Sequence, residues 1–308
     1  RVLVDPAGRL PLSDLDAGLR AEDTAAAPRR LDWHALIRRT KRRIADTILR
    51  SEVLRLEREL PEPIENAADA LAELLAAFPV YRSYLPAGHE HLQEAFEAAR
   101  DARPELEPAL RALEPVLSDP GQPAAIRFQQ TSGMVMAKGV EDCAFYRYPR
   151  LTSLNEVGGE PDQYGADPDA FHEAMRIRLE DQPEGLLATT THDTKRGEDA
   201  RARIYTLSEA PETWQRLVAG FAEAMTEWRK AVDPGLFSPD GATEWGLYQS
   251  LLGVLPTDFD PSDEEHCAEI AERLTAYAEK AVREAKRYTS WTAPAEAYKS
   301  ALKAFVEA

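Results

Sequence analysis

The 308 residues carry 54 acidic and 37 basic side chains, a formal charge of -17, which repels phosphate backbones and argues against a nucleic-acid partner. Hydrophobic residues at 44% and charged residues at 30% fit a soluble globular protein long enough to bury a sizeable core. No run of about 18 apolar residues is present, so no membrane partner is expected, and residues 1–20 hold no apolar signal-peptide core.

In chain order, the first residue is Arg1 rather than methionine, and the expectation is a chain cut from something longer. Residues 32–60 predict one long helix, with Ile37, Ile44, Ile48 and Leu56 near helical spacing and Pro61 and Pro63 ending it. Arg38, Arg39, Lys41, Arg42 and Arg43 cluster on it. They read as a solvated face rather than a basic binding stripe, because Asp46, Glu52, Glu57 and Glu59 soon follow. Alanine- and leucine-rich helices are predicted at 67–78, 89–102 and 105–117, separated by turn residues such as Pro86, Gly88 and Asp119-Pro120-Gly121. This first third reads as a small helical subdomain. His89 and His91 have an H-x-H spacing but no third ligand, and read as a hydrated helix start rather than a metal site.

From 127 to 165 the chain becomes rich in aromatic, amide, glycine and acidic residues without clean periodicity, and reads as loop, where chemistry tends to sit. Asp167-Pro168 opens a predicted helix to Leu179 in the cap-then-proline pattern. Residues 186–191, short, apolar and threonine-rich, are the best strand candidate. Helices follow at 195–207, 211–232, 243–252 and 262–288, the last with Ser262 and Glu265 at capping-box spacing. Trp214, Trp228, Trp245 and Trp291 lie in helical patterns, which predicts core packing. Cys143 and Cys267, far apart and without metal-ligand spacing, read as reduced residues of a cytoplasmic protein. A closed parallel barrel needs eight strands, and this chain supplies two or three. The fold class expected is therefore mainly α.

Two stretches carry chemistry. The predicted strand 186–191 runs into His192, Asp193, Thr194, Lys195 and Arg196. A carboxylate at the C-terminal end of a barrel strand sits where active sites are built, and it can stabilise positive charge developing at an anomeric carbon. The alternative is a helix start with Asp193 as N-cap. The second stretch holds Gln129, Gln130, Lys138, Glu141, Asp142, Tyr146, Asn155 and Glu156. Amides, hydroxyls and aromatic faces together suit a carbohydrate; a structural loop with a buried amide network is the alternative.

The run RFQQTSGMVMAKGVEDCAFYRYPRLTSLNEVGGEP (127–161) closely resembles the signature stretch of the maltooligosyl trehalose synthases. THDTKRGEDARAR (191–203) resembles that family's version of the fourth signature region of glycoside hydrolase family 13. VDPAGRLPLSDL (4–15), LYQSLLG (247–253) and REAKRYTSWTAPAEAY (283–298) are also similar to family segments, so the resemblance covers almost the whole chain.

That resemblance implies a helical subdomain plus an incomplete portion of a (β/α)8 barrel. Residues 1–30 would connect from an upstream barrel part, 31–120 form a helical lid, and 121–308 a partial barrel. It implies conversion of the reducing-end α-1,4 linkage of a maltooligosaccharide into an α,α-1,1 linkage, with no cofactor and no metal. The route is retaining, through an aspartate nucleophile and a glutamate acid/base. By the same resemblance Asp193 is the third carboxylate, the transition-state stabiliser, and His192 hydrogen-bonds the sugar beside the cleaved bond. Lys195 and Arg196 contact substrate or orient Asp193. Gln129, Gln130, Lys138, Glu141, Asp142, Tyr146 and Glu156 are expected in or near the sugar pocket. The nucleophile and acid/base are expected upstream of residue 4, so this chain alone is expected to be inactive or nearly so, with the rest of a parent enzyme's barrel as partner. The rival readings are a trehalose- or maltose-releasing glucan hydrolase, a non-catalytic α-glucan-binding module, and a purely structural helical module.

Overall fold

Helices carry the architecture, as the alanine- and leucine-rich periodicity predicts. The structure, a computed structural model, describes residues 2–21 and 30–308. It divides into two compact units: Asp32–Ala144, and the segments Arg1–Leu31 and Phe145–Ala308 taken together. The first helix, α1 (Arg9–Ala21), belongs to the latter unit.

The continuous unit opens with α2 (Trp33–Asp46), capped by the Asp32 carboxylate on the Ala35 N–H at 3.0 Å. The single helix predicted over 32–60 is in fact two. Thr47 turns its hydroxyl back onto the Arg43 carbonyl, the Thr47 and Leu49 amides both go to the Ile44 carbonyl, and α3 (Arg50–Arg58) starts afresh. Next come α4 (Ala67–Ala77), α5 (His89–Ala102), α6 (Glu107–Ser118) and α7 (Pro123–Met136), then a π-helical segment, Ala137–Ala144. Helix α4 is central, with Leu71, Leu74 and Leu75 fully buried. Around it pack Val53, Leu56, Phe96, Leu110 and Leu113, with Phe78 edge-on to Phe128 at 5.5 Å.

Two further expectations change in this unit. The stretch beginning at Arg127 is helix, not loop, as far as Ala144. Its polar residues obscured the period because several are buried with backbone partners: Thr131 bonds Arg127 O and Ser132 bonds Tyr81 O. The basic cluster on α2 is not simply solvated either. Arg38 and Arg42 grip the buried Glu73, Arg42 and Arg103 share Asp69, and Lys41 is itself buried with its amine on the Phe78 carbonyl.

In the other unit α1 meets α11 (Gly241–Val254) at Gly241, where a Cβ would lie 2.1 Å from the Leu19 carbonyl oxygen. Helix α8 (Pro168–Asp181) starts as predicted, with Asp167 accepting the Ala170 N–H at 2.7 Å, yet none of its residues is buried. Residues 186–191 form no strand; Leu186 and Leu187 are 96% and 72% exposed. A strand exists only when paired, and no described strand lies beside this segment. Among the described residues the strands are β1 (Lys230–Asp233) and β2 (Leu236–Ser238), an antiparallel hairpin turning at Pro234-Gly235 with Gly235 at φ 74°. That hairpin takes the end of the helix predicted over 211–232, so α10 spans Pro211–Met225 only. Helix α9 is Glu198–Tyr205, α12 is Glu264–Ala285 and α13 is Glu296–Glu307. Asp263, not Ser262, caps α12, accepting the His266 N–H at 3.0 Å, while Ser262 bonds Asp260.

Leu12, Leu15, Ile204, Leu207, Val218 and Tyr248 surround Trp214 and Trp245, whose rings lie 6.0 Å apart. Trp228 and Trp291 are 40% and 54% exposed, so only two of the four tryptophans expected in the core are there. Trp291 instead stacks under Arg283 and donates to Glu284. No helix among the described residues is long and apolar enough to cross a membrane.

Candidate functional site

The candidate residues fall in both units, and each group has its own surroundings. In the continuous unit, Gln129 is buried and its amide is used up by the backbone: Oε1 accepts the Leu85 N–H at 2.8 Å and Nε2 donates to Ala125 O at 3.1 Å. Gln130 is exposed one position on. Lys138, Glu141 and Asp142 lie on the π segment. Lys138 and Asp142 pair along its outer face at 2.7 Å, whereas Glu141 is buried and takes the Tyr81 hydroxyl. Gly139 lets this segment rest directly on α2, since a Cβ there would come within 2.7 Å of Lys41 Cγ and 2.8 Å of its Cα.

In the other unit, residues 191–194 form a tight turn. Thr194 donates its N–H (3.2 Å) and its hydroxyl (2.8 Å) to Thr191 O, and the Asp193 N–H faces the Thr191 hydroxyl at 3.3 Å. Asp193 is therefore inside a turn, and α9 has its N-cap four residues later at Gly197, so the helix-cap alternative is set aside. The side chains of His192 and Asp193 are 91% and 71% exposed, with Nε2 3.3 Å from Oδ2. The turn presents an imidazole and a carboxylate side by side to solvent.

The residues next to the turn face inward. The Lys195 N–H points between both oxygens of Glu156, at 3.0 and 3.1 Å. The Arg196 guanidinium bonds Thr152 O at 3.2 Å and the Tyr277 hydroxyl at 2.7 Å, and lies over the Tyr277 ring. Lys195, Arg196, Tyr146, Thr152, Asn155 and Tyr277 line a cavity of about 40 Å³, large enough for a water but not for a sugar ring. Asn155 Nδ2 ties the Phe145 and Tyr148 carbonyls, at 2.9 and 2.8 Å, which holds the chain that carries Tyr146. Glu198 is kept below the usual carboxylate range by the Thr190 hydroxyl. Burial pushes the Tyr148 phenol up to about 12, so it stays a donor, here to Asp162.

The structure thus gathers Tyr146, Glu156, His192, Asp193, Lys195 and Arg196 within one unit, and Gln129, Gln130, Lys138, Glu141 and Asp142 within the other. Thr152 and Tyr277, which bond Arg196, and Arg201, whose guanidinium lies 3.9 Å from Glu156, join the first group and were not singled out from sequence. Tyr277 lies on α12, and nothing in its amphipathic pattern separates it from other half-buried tyrosines. Among the described residues no cluster of three or more histidine, cysteine or carboxylate side chains is arranged to hold a metal.

No protein-family model matches the chain. Over 305 residues it is 37% identical to a putative maltooligosyl trehalose synthase of Mycobacterium tuberculosis, a match covering 96% of this chain and 36% of the relative. Among solved structures, the maltooligosyltrehalose synthase of Arthrobacter ramosus superposes with a TM-score of 0.85 at 46% identity, covering 99% of this chain and 36% of that one. A hypothetical maltooligosyl trehalose synthase of Sulfolobus tokodaii gives a TM-score of 0.68 at 26% identity, covering 98% and 38%. The chain therefore spans about a third of the length of the synthases it matches, and the matches cover nearly all of its own sequence. The resemblance read from the motifs is borne out.

Proposed function

We propose that this chain supplies part of the active site of an intramolecular transglucosylase, which converts the reducing-end α-1,4 linkage of a maltooligosaccharide to α,α-1,1. The observation that carries the reading is the match in both sequence and structure, over nearly all of this chain, to maltooligosyl trehalose synthases. Asp193, at the exposed turn, is the transition-state stabiliser, and His192 beside it hydrogen-bonds the sugar. Lys195 and Arg196 shape the turn's inner side. The nucleophile and the acid/base of the retaining route are supplied by other parts of a barrel of the glycoside hydrolase family 13 type, so the chain by itself turns over little or no glucan. The helical unit, with Lys138 and Asp142 on its π segment, serves to keep water from the glycosyl intermediate. The protein works in the cytoplasm without cofactor or metal.

The test replaces the corresponding third of the Arthrobacter ramosus synthase with this chain and supplies maltopentaose. Reducing ends should disappear without a matching release of glucose. Asp193→Asn should cut that rate by at least about a hundredfold, the scale for removing one group that stabilises developing charge. A folded chimera that only releases glucose or maltose would favour the hydrolase reading. One that binds glucan and does nothing would favour the binding module.

A further inference from the structure

Asp193 sits in a segment with no regular structure to hold it. Residues 186–197 are neither helix nor strand, and the bonds inside the turn join only residues 191–194 to one another. Something outside the segment must fix where the carboxylate points. Following the bonds outward, Thr190 reaches Glu198 and Arg196 reaches the Thr152 carbonyl and Tyr277, and Glu156 is the side chain reached from both ends of the turn.

On the downstream side the contact is direct. Both Glu156 oxygens accept the Lys195 N–H, at 3.0 and 3.1 Å, and Oε1 also accepts the Val157 N–H at 2.8 Å. On the upstream side it runs through an arginine. Arg201 Nη1 lies 3.9 Å from Glu156 Oε2, while the Nη2 of the same guanidinium donates to the Thr189 carbonyl. Glu156 and Arg201 are 16% and 17% exposed, so this pairing is largely shielded from water. Arg201 sits on α9 and Glu156 follows the short 3-10 turn Thr152–Leu154, which also accepts Arg196 through the Thr152 carbonyl. The carboxylate therefore closes a ring that starts at Thr189, passes through the Asp193 turn and ends at Lys195. A Glu at 156 can do this because it is acceptor-only, offering two oxygens to a backbone N–H and a guanidinium at once.

We infer that Glu156 is the positioning residue of the Asp193 turn, gripping its downstream end at Lys195 and its upstream end at Thr189 through Arg201. The inference rests on the proposed function only for the role it gives Asp193; the clamp itself is a property of this chain. It acts through the backbone and does not touch the reacting sugar. It also explains a mismatch within the segment: His192 and Asp193 are exposed, while Lys195 and Arg196 just downstream are half-buried. The clamp lies at that boundary.

Amide hydrogen exchange and 15N relaxation on the intact chain separate the two arms. In the wild type the Lys195 amide should exchange roughly tenfold to a hundredfold more slowly than the His192 amide, after correction for intrinsic rates, as suits an N–H bonded to a charged acceptor. Glu156→Ala should bring Lys195 to the His192 rate and loosen Thr189 on the nanosecond scale. Glu156→Gln keeps one acceptor for Lys195 but loses the ion pair, so it should preserve most of the Lys195 protection while Thr189–Thr191 become mobile. Arg201→Met should reproduce the upstream loosening alone. Amides of Trp245 and Leu207 in the core serve as the reference and should not change. A Lys195 amide that already exchanges as fast as His192, or that ignores Glu156→Ala, overturns the clamp. Loss of protection throughout the unit in Glu156→Gln would make Glu156 a general structural residue and overturn it equally. Asp193→Asn should leave all these rates unchanged, so an inactive chimera with an intact clamp would count against the proposed function and not against the positioning role.

Discussion

Lys41 offers a sharp physical test of the helical unit. Its side chain is buried at the end of α4, its amine on the Phe78 carbonyl, and burial lowers its pKa from 10.5 to about 7. In the unfolded chain the amine binds a proton up to its ordinary pKa near 10.4, so between pH 7 and that value unfolding takes one up. The unfolded state then holds more protons than the folded one, and stability must rise with pH across this window. At 1.36 kcal/mol per pH unit for a full proton, and about half a proton at pH 7 itself, the gain from pH 7 to pH 9 is about 2 kcal/mol. Lys41→Met fills the same space with a side chain that does not titrate. It leaves the Phe78 carbonyl without this donor, a cost of about 1–3 kcal/mol, but removes the charged form's burial penalty. The informative quantity is therefore the slope with pH rather than the stability at one pH. Exchange of the deeply buried α4 amides at Leu71, Leu74 and Leu75, corrected for intrinsic pH dependence, reports the opening free energy of this unit. The wild type minus the variant should show the rise of about 2 kcal/mol, because every other group cancels. A difference that stays flat from pH 7 to 9 would mean the lysine keeps its charge when folded, and the burial argument fails.

Gly241→Ala should destabilise the discontinuous unit by about 1–3 kcal/mol or more, since the new Cβ would overlap the Leu19 carbonyl oxygen at 2.1 Å and α1 must shift to admit it. Thermal unfolding followed by the buried Trp214–Trp245 pair reads this, and an unchanged midpoint would show that α1 does not pack there. Leu186→Asp should change the stability of this chain by less than about 0.5 kcal/mol, as expected for a surface site, because Leu186 is 96% exposed. A loss of several kcal/mol in urea unfolding would mean that residue 186 is covered after all.

The sequence told helix from non-helix well where apolar spacing was clean, as at α4 and α5, and where a cap marked the start, as at α8. It misled where polar residues are themselves interior. Gln129, Thr131 and Ser132 made 127–136 read as loop, but each spends its polar atoms on nearby backbone carbonyls or amides, so the helix tolerates them. The predicted strand at 186–191 failed for a different reason. Apolar, threonine-rich character reports what a segment would prefer beside a neighbour, and strand propensity is largely that packing; with no partner strand among the described residues, the segment stays irregular and largely exposed. At the candidate site, the His192-Asp193-Lys195-Arg196 run was legible because its residues are consecutive. The partners that hold it, Glu156 and Tyr277, lie 39 and 81 residues from Lys195 and Arg196 respectively, and no local pattern joins positions so far apart. Resemblance to the synthases brought Glu156 forward, as a residue in or near the sugar pocket. Its hydrogen bonds to backbone N–H groups are visible only once the chain is folded.

The exposure of Asp193 bears on how much work the carboxylate can do here. A full positive charge about 4 Å away interacts with it by about 1 kcal/mol in bulk water, against about 4 kcal/mol at the effective dielectric of a protein surface cleft. With its side chain 71% exposed, Asp193 lies near the first limit. The difference, about 3 kcal/mol, is a factor of more than a hundred in rate, comparable to the loss expected when such a group is deleted. In the proposed role, holding Asp193 in position is thus only half of what is required of it. The clamp at Glu156 can set the direction of the carboxylate within this chain, but its strength depends on excluding water from the turn. The two requirements separate cleanly in experiment. Glu156 variants should alter the order of the turn in this chain alone, whereas the full effect of Asp193→Asn on rate should emerge only when the turn is covered, as in the proposed chimera.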